Sequence, residues 1–457
     1  MMSRTLGVVA REVKGTLVGA DAPFAAVSTD SRTLTPGALF VAIAGDRFDG
    51  NDFVADAHAK GAAGALVSRR GSSSLPQIEV RDTRRALGLV AKAWRATFAV
   101  PAVAVTGSSG KTTVKELVAA ILGVSRAICV TQGNMNNDVG VPLTLLTLTD
   151  EHDALVVELG ANHAGEIDYL ASLAQPTVAV ITNAAAAHLE GFGSVAGVAA
   201  AKGELLDHLP RAGTAVLNAD DPFRGDWLAR APCEDRVTFG FSSSADCHVV
   251  GEPVYGAAGS EFTMQLPDGD EVDVWLPLLG RQNVANALAA AAAAQAAGAS
   301  AEDIGDGLAH AVPVRGRLRA LAGIGGATLI DDSYNANPAS VRAALDHLAA
   351  IGGRRILVLG NMAELGLASR ELHREVGEYA RGRCDLLFTI GDLAGEAATA
   401  FGATSRRMAD IDAACAMLVP LLGDGVTVLI KGSRVMGLDH LVRTLELDVN
   451  LPQAAAC

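Results

Sequence analysis

Read for its alternation of apolar and polar positions, the chain falls into three stretches. Over residues 1–99, short apolar runs such as ALFVAI (38–43) and ALVS (65–68) are set off by turn formers, Gly45-Asp46 among them, with a helical pattern near 52–60. Runs of that length between Gly, Asp and Ser clusters read as strands, which predicts a small α/β domain. From residue 100 the runs AVAVTG (102–107), ALVVELG (154–160), VAVITN (178–183) and TAVLNAD (214–220) alternate with amphipathic or Ala-rich segments, and a long Ala-rich helix is predicted over 283–297. Continuous apolar runs separated by helices mark a mostly parallel sheet covered on both faces. The alternation resumes from residue 315 in ATLIDD (327–332), RILVLGNM (355–362), LLFTIGD (386–392) and VTVLIKGS (426–433), predicting a second doubly wound domain. The expected fold class is α/β, in three domains spanning 1–99, 100–314 and 315–457.

The central runs end in polar residues, Thr106, Glu158, Asn183 and Asp220. Ligands of open α/β sheets bind beyond the carboxyl ends of their strands, so the chemistry is expected at that edge.

Composition narrows the picture. At 457 residues the chain exceeds what one hydrophobic core supports, and with 50% hydrophobic but only 4% aromatic residues its cores must be built from Ala, Val and Leu. A net charge of -14 with no Lys/Arg stripe argues against nucleic acid as a partner. Six scattered cysteines, Cys129, Cys233, Cys247, Cys384, Cys415 and Cys457, form no Cys-x-x-Cys pair, so neither a disulfide framework nor a zinc site is expected. The first residues lack the apolar run of a signal peptide, and no uncharged stretch reaches membrane-spanning length, so a cytoplasmic protein without membrane insertion is expected.

The strongest chemical signal is TGSSGKTT (106–113), placed between the run AVAV and the helical pattern VKELVAAIL. Strand, Gly-rich turn, Lys, hydroxyl and helix in that order make a phosphate cradle. Gly107, Ser108, Ser109, Gly110 and Thr113 supply the wrap, Lys111 reaches phosphate charge, and the Thr112 hydroxyl can ligate Mg²⁺. Val105 stands where a full Walker A pattern has its first Gly, so the loop is a shorter variant.

That shorter loop resembles the one used by the Mur ligase family. The motifs GNMNNDVGVPLTLL (133–146), HLEGFGS (188–194), DSYNANPAS (332–340) and KGSR (431–434) follow in the family's order and resemble in particular the member that adds D-alanyl-D-alanine. The resemblance covers nearly the whole chain. It implies an ATP-dependent ligase with a UDP-substrate-binding N-terminal domain, a central P-loop ATPase-like domain and a C-terminal Rossmann-like domain that closes over ATP. The implied substrates are UDP-N-acetylmuramoyl-tripeptide and D-alanyl-D-alanine, the implied cofactors ATP and two Mg²⁺ ions, and a monomer is expected.

Site residues follow from the resemblance, each beside a plainer reading. Glu158, by position a strand-end acid or a cap, matches the family's metal-binding Glu. His188, otherwise a solvated loop histidine, matches a second-metal ligand. Lys202, otherwise a surface lysine on a helix, matches a lysine carbamylated by CO₂; a carbamate requires the neutral amine, so a depressed pKa is expected there. Asn283 and Asn286 on their own read as helix caps, and the resemblance implies that one or both of these amides contacts the adenine. Arg317 is implied at the γ-phosphate, with Arg315 a competitor two residues away, and Asp332 at the ribose. Ser31 and Arg32 are implied at the uridine diphosphate, although turn chemistry alone accounts for most of that stretch. Asn134, Asn137, Asn335, Asn337, Lys431, Ser433 and Arg434 are implied on the peptide side. One departure stands in GNMAELG, where Asn361 occupies a position the family more often gives to Asp.

Such a site would phosphorylate the tripeptide carboxylate with ATP, and the dipeptide amine would attack the acyl phosphate. Lys111, Arg317 and the metals would neutralise the moving charge. Domain closure is expected to hinge near 312–317. Two other readings differ in testable ways: a superfamily ligase with another acceptor should lack NANPAS and HLEGFGS, and a non-catalytic nucleotide switch has little need of the set Lys111, Glu158, His188 and Lys202.

Overall fold

A computed structural model describes residues 4–45 and 48–447; Asp46 of the expected turn and Cys457 lie outside them. The N-terminal part builds a five-stranded sheet from β1 (Thr16–Val18), β2 (Ala26–Ser28), β3 (Ala38–Val41), β4 (Gly64–Val67) and β5 (Gln77–Glu79), in the order β1-β5-β4-β3-β2. Only β1 runs antiparallel to its neighbour. Helix α1 (Thr83–Arg95) leads from this unit into the next; Asp82 caps it by accepting from the N–H of Arg85.

The central unit is a nine-stranded sheet among the described residues. It comprises β6 (Ala102–Thr106), β7 (Ile128–Val130), β8 (Ala154–Glu158), β9 (Val178–Ile181), β10 (Thr214–Asn218), β11 (Asp235–Gly240), β12 (Cys247–Tyr255), β13 (Ser260–Gln265) and β14 (Glu271–Leu276), ordered β14-β13-β12-β11-β10-β9-β6-β8-β7. The pairs from β7 to β12 are parallel, and every residue of β6, β8 and β9 is buried. That is why these strands read as unbroken apolar runs. Along β6, Val103 and Val105 face one core layer while Ala102 and Ala104 face the other.

The two hairpins β12–β13 and β13–β14, whose strands run antiparallel to one another beyond the parallel β11–β12 pair, were not visible in the sequence pattern. Much of β12 is exposed, so no apolar run marks it. Two helices matter most for the site: α2 (Lys111–Leu122), which begins at the phosphate loop, and α3 (Arg281–Ala296), which packs against it. Helix α3 is buried around most of its circumference, Ala287 and Ala289 to Ala294 included, as befits a helix apolar on all sides.

The third unit holds β15 (Arg319–Ala322), β16 (Thr328–Asp332), β17 (Arg354–Gly360), β18 (Leu386–Ile390), β19 (Ser405–Met408) and β20 (Val426–Lys431), ordered β15-β16-β20-β17-β18-β19 and parallel except for β15. Its two core layers lie on opposite faces of that sheet. Asn337 caps the helix Pro338–Ala349 through a reciprocal pair with Ser340. The segment 310–318 joins the central unit to this one, with Val312 among its exposed residues. Asn361 accepts the N–H of Ala394 through Oδ1 at 2.8 Å, a bond an amide oxygen makes as readily as a carboxylate. No helix among the described residues is long and apolar enough to cross a membrane, and the five described cysteines are free thiols.

Candidate active site

The turn after β6 is held open by its neighbours. Ser108 and Ser109 donate their N–H groups to the backbone O and Oδ1 of Asn183 at 2.9 and 3.0 Å, and the Thr182 hydroxyl donates to Ser109 O at 2.6 Å. Gly107 and Gly110 take φ values of +146° and +84°, which side chains resist, and a Cβ at either would run into Thr182 or Asn286. Lys111 opens α2, with Nζ 2.7 Å from Gly107 O. Burial pushes its pKa down, Glu158 opposes that, and Arg317 reinforces it.

Two cavities share this turn as a wall. The larger, of about 790 Å³, is lined by Lys111, Thr112, Asn137, Glu158 and His188 on the central unit, by Asp82, Arg84 and Arg85 from α1 and the residue before it, and by Arg317, Tyr334 and Asn335 on the third unit. The smaller, of about 410 Å³, is lined by Thr113, Asn283, Asn286, Asp332, Asn337 and Lys431 among others. Ser108, Ser109, Gly110, Arg317 and Asn335 line both.

Glu158 ends β8 at 2% exposure. Its Oε1 accepts from Asn136 Nδ2 at 2.7 Å, whereas Oε2 is buried without a partner. A buried, unpaired carboxylate oxygen is costly unless something charged meets it. The described residues hold no cluster of three or more His, Cys, Asp or Glu able to cage a metal ion. One free carboxylate oxygen in the cavity that the Thr112 hydroxyl also lines suits Mg²⁺, which keeps several waters and takes phosphate oxygens as its other ligands. The residues present therefore fit the ion.

His188 sits at a left-handed φ of +53°, and its Nδ1 meets Oε2 of Glu364, itself at φ +62°, across the cleft, though not along a hydrogen-bond direction. Burial lowers its pKa and Glu364 counters that. Lys202 does not line the larger cavity; it is 1% exposed, with Nζ 5.2 Å from the Phe192 ring centroid. Burial first, then Lys111, pushes its pKa down to about 7. The surface reading of Lys202 is thereby excluded, and an appreciable neutral fraction is available at neutral pH.

Across the cleft, an Arg317 Nη donates to the Thr112 hydroxyl at 3.2 Å and the guanidinium lies 4.2 Å from the Tyr334 ring centroid, while Arg315 is exposed and lines neither cavity. Asn337 Nδ2 donates to Ser109 Oγ at 3.1 Å. Asn283 donates to Leu279 O at 2.8 Å and accepts from Asn286 at 3.0 Å.

Several expected residues are placed elsewhere. Arg32 is exposed and pairs with Asp30, and neither it nor Ser31 lines either of these two cavities, so both stand apart from the phosphate turn; Arg84 and Arg85 line the larger cavity from the N-terminal side. Lys431, expected on the peptide side, is buried against Asp332 at 2.6 Å and lines the smaller cavity, because β16 and β20 are adjacent strands ending together. Burial raises the Asp332 pKa and Lys431 works against it. Asn134, Ser433 and Arg434 line neither cavity; Ser433 Oγ accepts the N–H of Ala363, and Arg434 donates to the Tyr334 hydroxyl. Sequence reading missed Asn136, Tyr169 and Glu364, and placed Asn183 at the binding edge without giving it a role. The strand-end position of Asn183 was the one available signal.

Comparison with known proteins gives a consistent result. Sequence models described as the Mur ligase family catalytic domain, the Mur ligase middle domain and the Mur ligase glutamate ligase domain match residues 23–95, 105–294 and 316–434. The chain is 46% identical to UDP-N-acetylmuramoyl-tripeptide--D-alanyl-D-alanine ligase of Escherichia coli over 98% of its own length and 99% of the relative's. Among solved structures it is similar to MurF from Acinetobacter baumannii, with a TM-score of 0.92, 35% identity, and 97% and 99% of the two chains covered. It is also similar to MurF ligase from Thermotoga maritima in complex with ADP, with a TM-score of 0.83, 28% identity, and 92% and 96% covered.

Proposed function

The chain belongs to the Mur ligase family, and from that premise we propose that it is the ATP-dependent ligase that joins D-alanyl-D-alanine to UDP-N-acetylmuramoyl-tripeptide in peptidoglycan synthesis. One observation carries the reading: the turn 107–112 is the common wall of two cavities, so a triphosphate lying along it has its base in the smaller and its terminal phosphorus facing the larger. The larger then takes the muramoyl peptide, its carboxyl end toward Lys111.

A free carboxylate does not acylate an amine, because oxide is too poor a leaving group. The first step is therefore transfer of the γ-phosphoryl group to the tripeptide carboxylate, with the bond from the γ-phosphorus to the β,γ-bridging oxygen breaking as a carboxylate oxygen binds phosphorus. Lys111 from the central unit and Arg317 from the third both line the larger cavity, and their cations would hold the charge that builds on the transferring group. Mg²⁺ bound by Thr112 and Glu158, with a second ion served by His188 and a carbamylated Lys202, would supply further charge neutralisation on the phosphate oxygens. The dipeptide amine then attacks the acyl carbon, loses its proton, and phosphate leaves.

Asn283 and Asn286 are assigned to the adenine and Asp332 to the ribose, whereas Asn137 and Asn335 face the peptide. The work divides as 1–99 for the uridine diphosphate end, 100–314 for ATP and 315–457 for closure and the dipeptide. A monomer suffices and the cytoplasm fits, since every group named comes from one chain and its substrates are water-soluble nucleotides and peptides. Phosphate release from ATP, measured with each substrate omitted in turn, tests the assignment. Release is expected only with both peptide substrates present, and release indifferent to the dipeptide would overturn it.

A further inference from the structure

One helical turn beyond Lys111 stands a second lysine that the mechanism does not use. The Lys115 side chain is 0% exposed and lines neither large cavity. Residues four apart share a helix face, so Lys115 lies on the Lys111 side of α2. Its Nζ donates to Thr131 O at 2.8 Å and pairs with the half-exposed Glu116. A methionine would fill that space without the cost of desolvating an amine. What the lysine adds is its hold on Thr131.

Thr131 follows β7 directly and is 1% exposed. Its N–H donates to Val156 O at 3.0 Å, and its hydroxyl accepts the backbone N–H of Glu158 at 3.1 Å. Five residues on, Asn136 donates to the Glu158 carboxylate at 2.7 Å and accepts the N–H of Gly160 at 2.9 Å. The segment 131–136 thus holds Glu158 by main chain and by side chain, turning Oε2 free. Lys115 fastens that segment to the helix that carries Lys111 and Thr112.

We propose that Lys115 is a positioning residue for the metal-binding carboxylate, tying Glu158 through Thr131 to the P-loop helix so that the Glu158 carboxylate and the Thr112 hydroxyl are held at a fixed separation. The inference rests on the reading of Glu158 and Thr112 as Mg²⁺ ligands. It predicts a defect in metal affinity, recoverable at high metal concentration, in a protein that still folds and still binds nucleotide.

The test is titration of Mn²⁺ into full-length enzyme with ADP present, followed by electron paramagnetic resonance, beside calorimetric ADP affinity without metal and a melting curve. K115M and T131V are expected to weaken Mn²⁺ by about 10-fold to 100-fold, the usual effect of losing a residue that orients a ligand. Metal-free ADP affinity should be preserved, and T131S, which keeps the hydroxyl, should return to wild-type metal affinity. Should K115M fail to fold, K115Q takes its place, while T131V and T131S report on the Thr131 hydroxyl that holds Glu158. E158Q separates the two ideas: if it leaves Mn²⁺ binding intact, the ligand reading itself fails. If E158Q weakens Mn²⁺ while the folded Lys115 and Thr131 variants bind like wild type, or if T131S is as defective as T131V, the positioning role is overturned.

Discussion

Both large sheets present the carboxyl ends of parallel strands to one cleft, β6, β8 and β9 from the central unit and β16 and β20 from the third. Yet they equip it differently. The central edge supplies backbone: a glycine turn braced by Asn183 and Thr182, with Lys111 and Glu158 set directly on helix and strand ends. The third unit supplies side chains that cross the gap, Arg317 to Thr112, Asn337 to Ser109 and Glu364 to His188. A backbone cradle can bind nucleotide whatever the other unit does, whereas the crossing groups act only when the units meet. On the proposed reading, binding falls to one edge and commitment to chemistry to the other.

The contrast is broken most forcefully at Arg317. Arg317→Ala is expected to lower kcat for phosphate release by about 10³-fold, as loss of an arginine at a transferring phosphoryl does, while ADP still binds the central unit. A loss of ADP affinity as large as the loss of kcat would show that the two edges do not divide the work.

Gly110→Ala attacks the other edge and should have a smaller effect. At φ +84° an alanine is strained by roughly 1–2 kcal/mol, and its Cβ would displace the Asn286 amide. A lower melting temperature and weaker ADP binding are expected, read by calorimetry. An unchanged melting temperature would mean that the turn is softer than its bracing indicates.

The gentlest effect is a pH slope that differs between the units. His347 and His373 in the third unit have pKa values lowered by burial, and His373 Nε2 accepts the N–H of Met362 at 2.9 Å, tethering the loop that carries Glu364. Their folded values lie below the ordinary 6.5, so the stability they confer is whole above about pH 6.5 and drains as pH falls toward the folded values. Lys202 in the central unit, lowered to about 7, acts in another window. Below that value it is charged folded or unfolded and adds no slope; from there up to its ordinary value, rising pH stabilises the fold. His188 gives the central unit a single lowered histidine in the same window against two in the third, so hydrogen exchange should show the third unit loosening more between pH 7 and 5, and His373→Gln, which keeps an acceptor, should blunt the change.

Sequence reading was uneven for physical reasons. Strands β6, β8, β9, β17 and β20 were legible because burial on both faces writes a continuous apolar run, and the phosphate turn because its glycines and lysine sit in fixed order. The antiparallel strands β12 to β14 were not, since their outer residues are solvated. Contacts that exist only through tertiary folding were also hidden: Asn136, rather than its neighbours Asn134 and Asn137, reaches Glu158, and Glu364 meets a histidine far away in the chain. Arg315 and Arg317 were indistinguishable by pattern, and burial separates them.

Helix α3 has a reach beyond its own packing. Its inner surface is paved almost wholly with methyl groups, and its first turns carry Asn283 and Asn286 to the rim of the smaller cavity. It behaves as a shim of minimum thickness: a bulkier residue at Ala290 or Ala293 would lift the whole rod from the sheet and swing both amides off target. The shape of that cavity is thus exposed to drift at sites remote from it, where a change of one methylene could shift its wall while every lining residue stays the same.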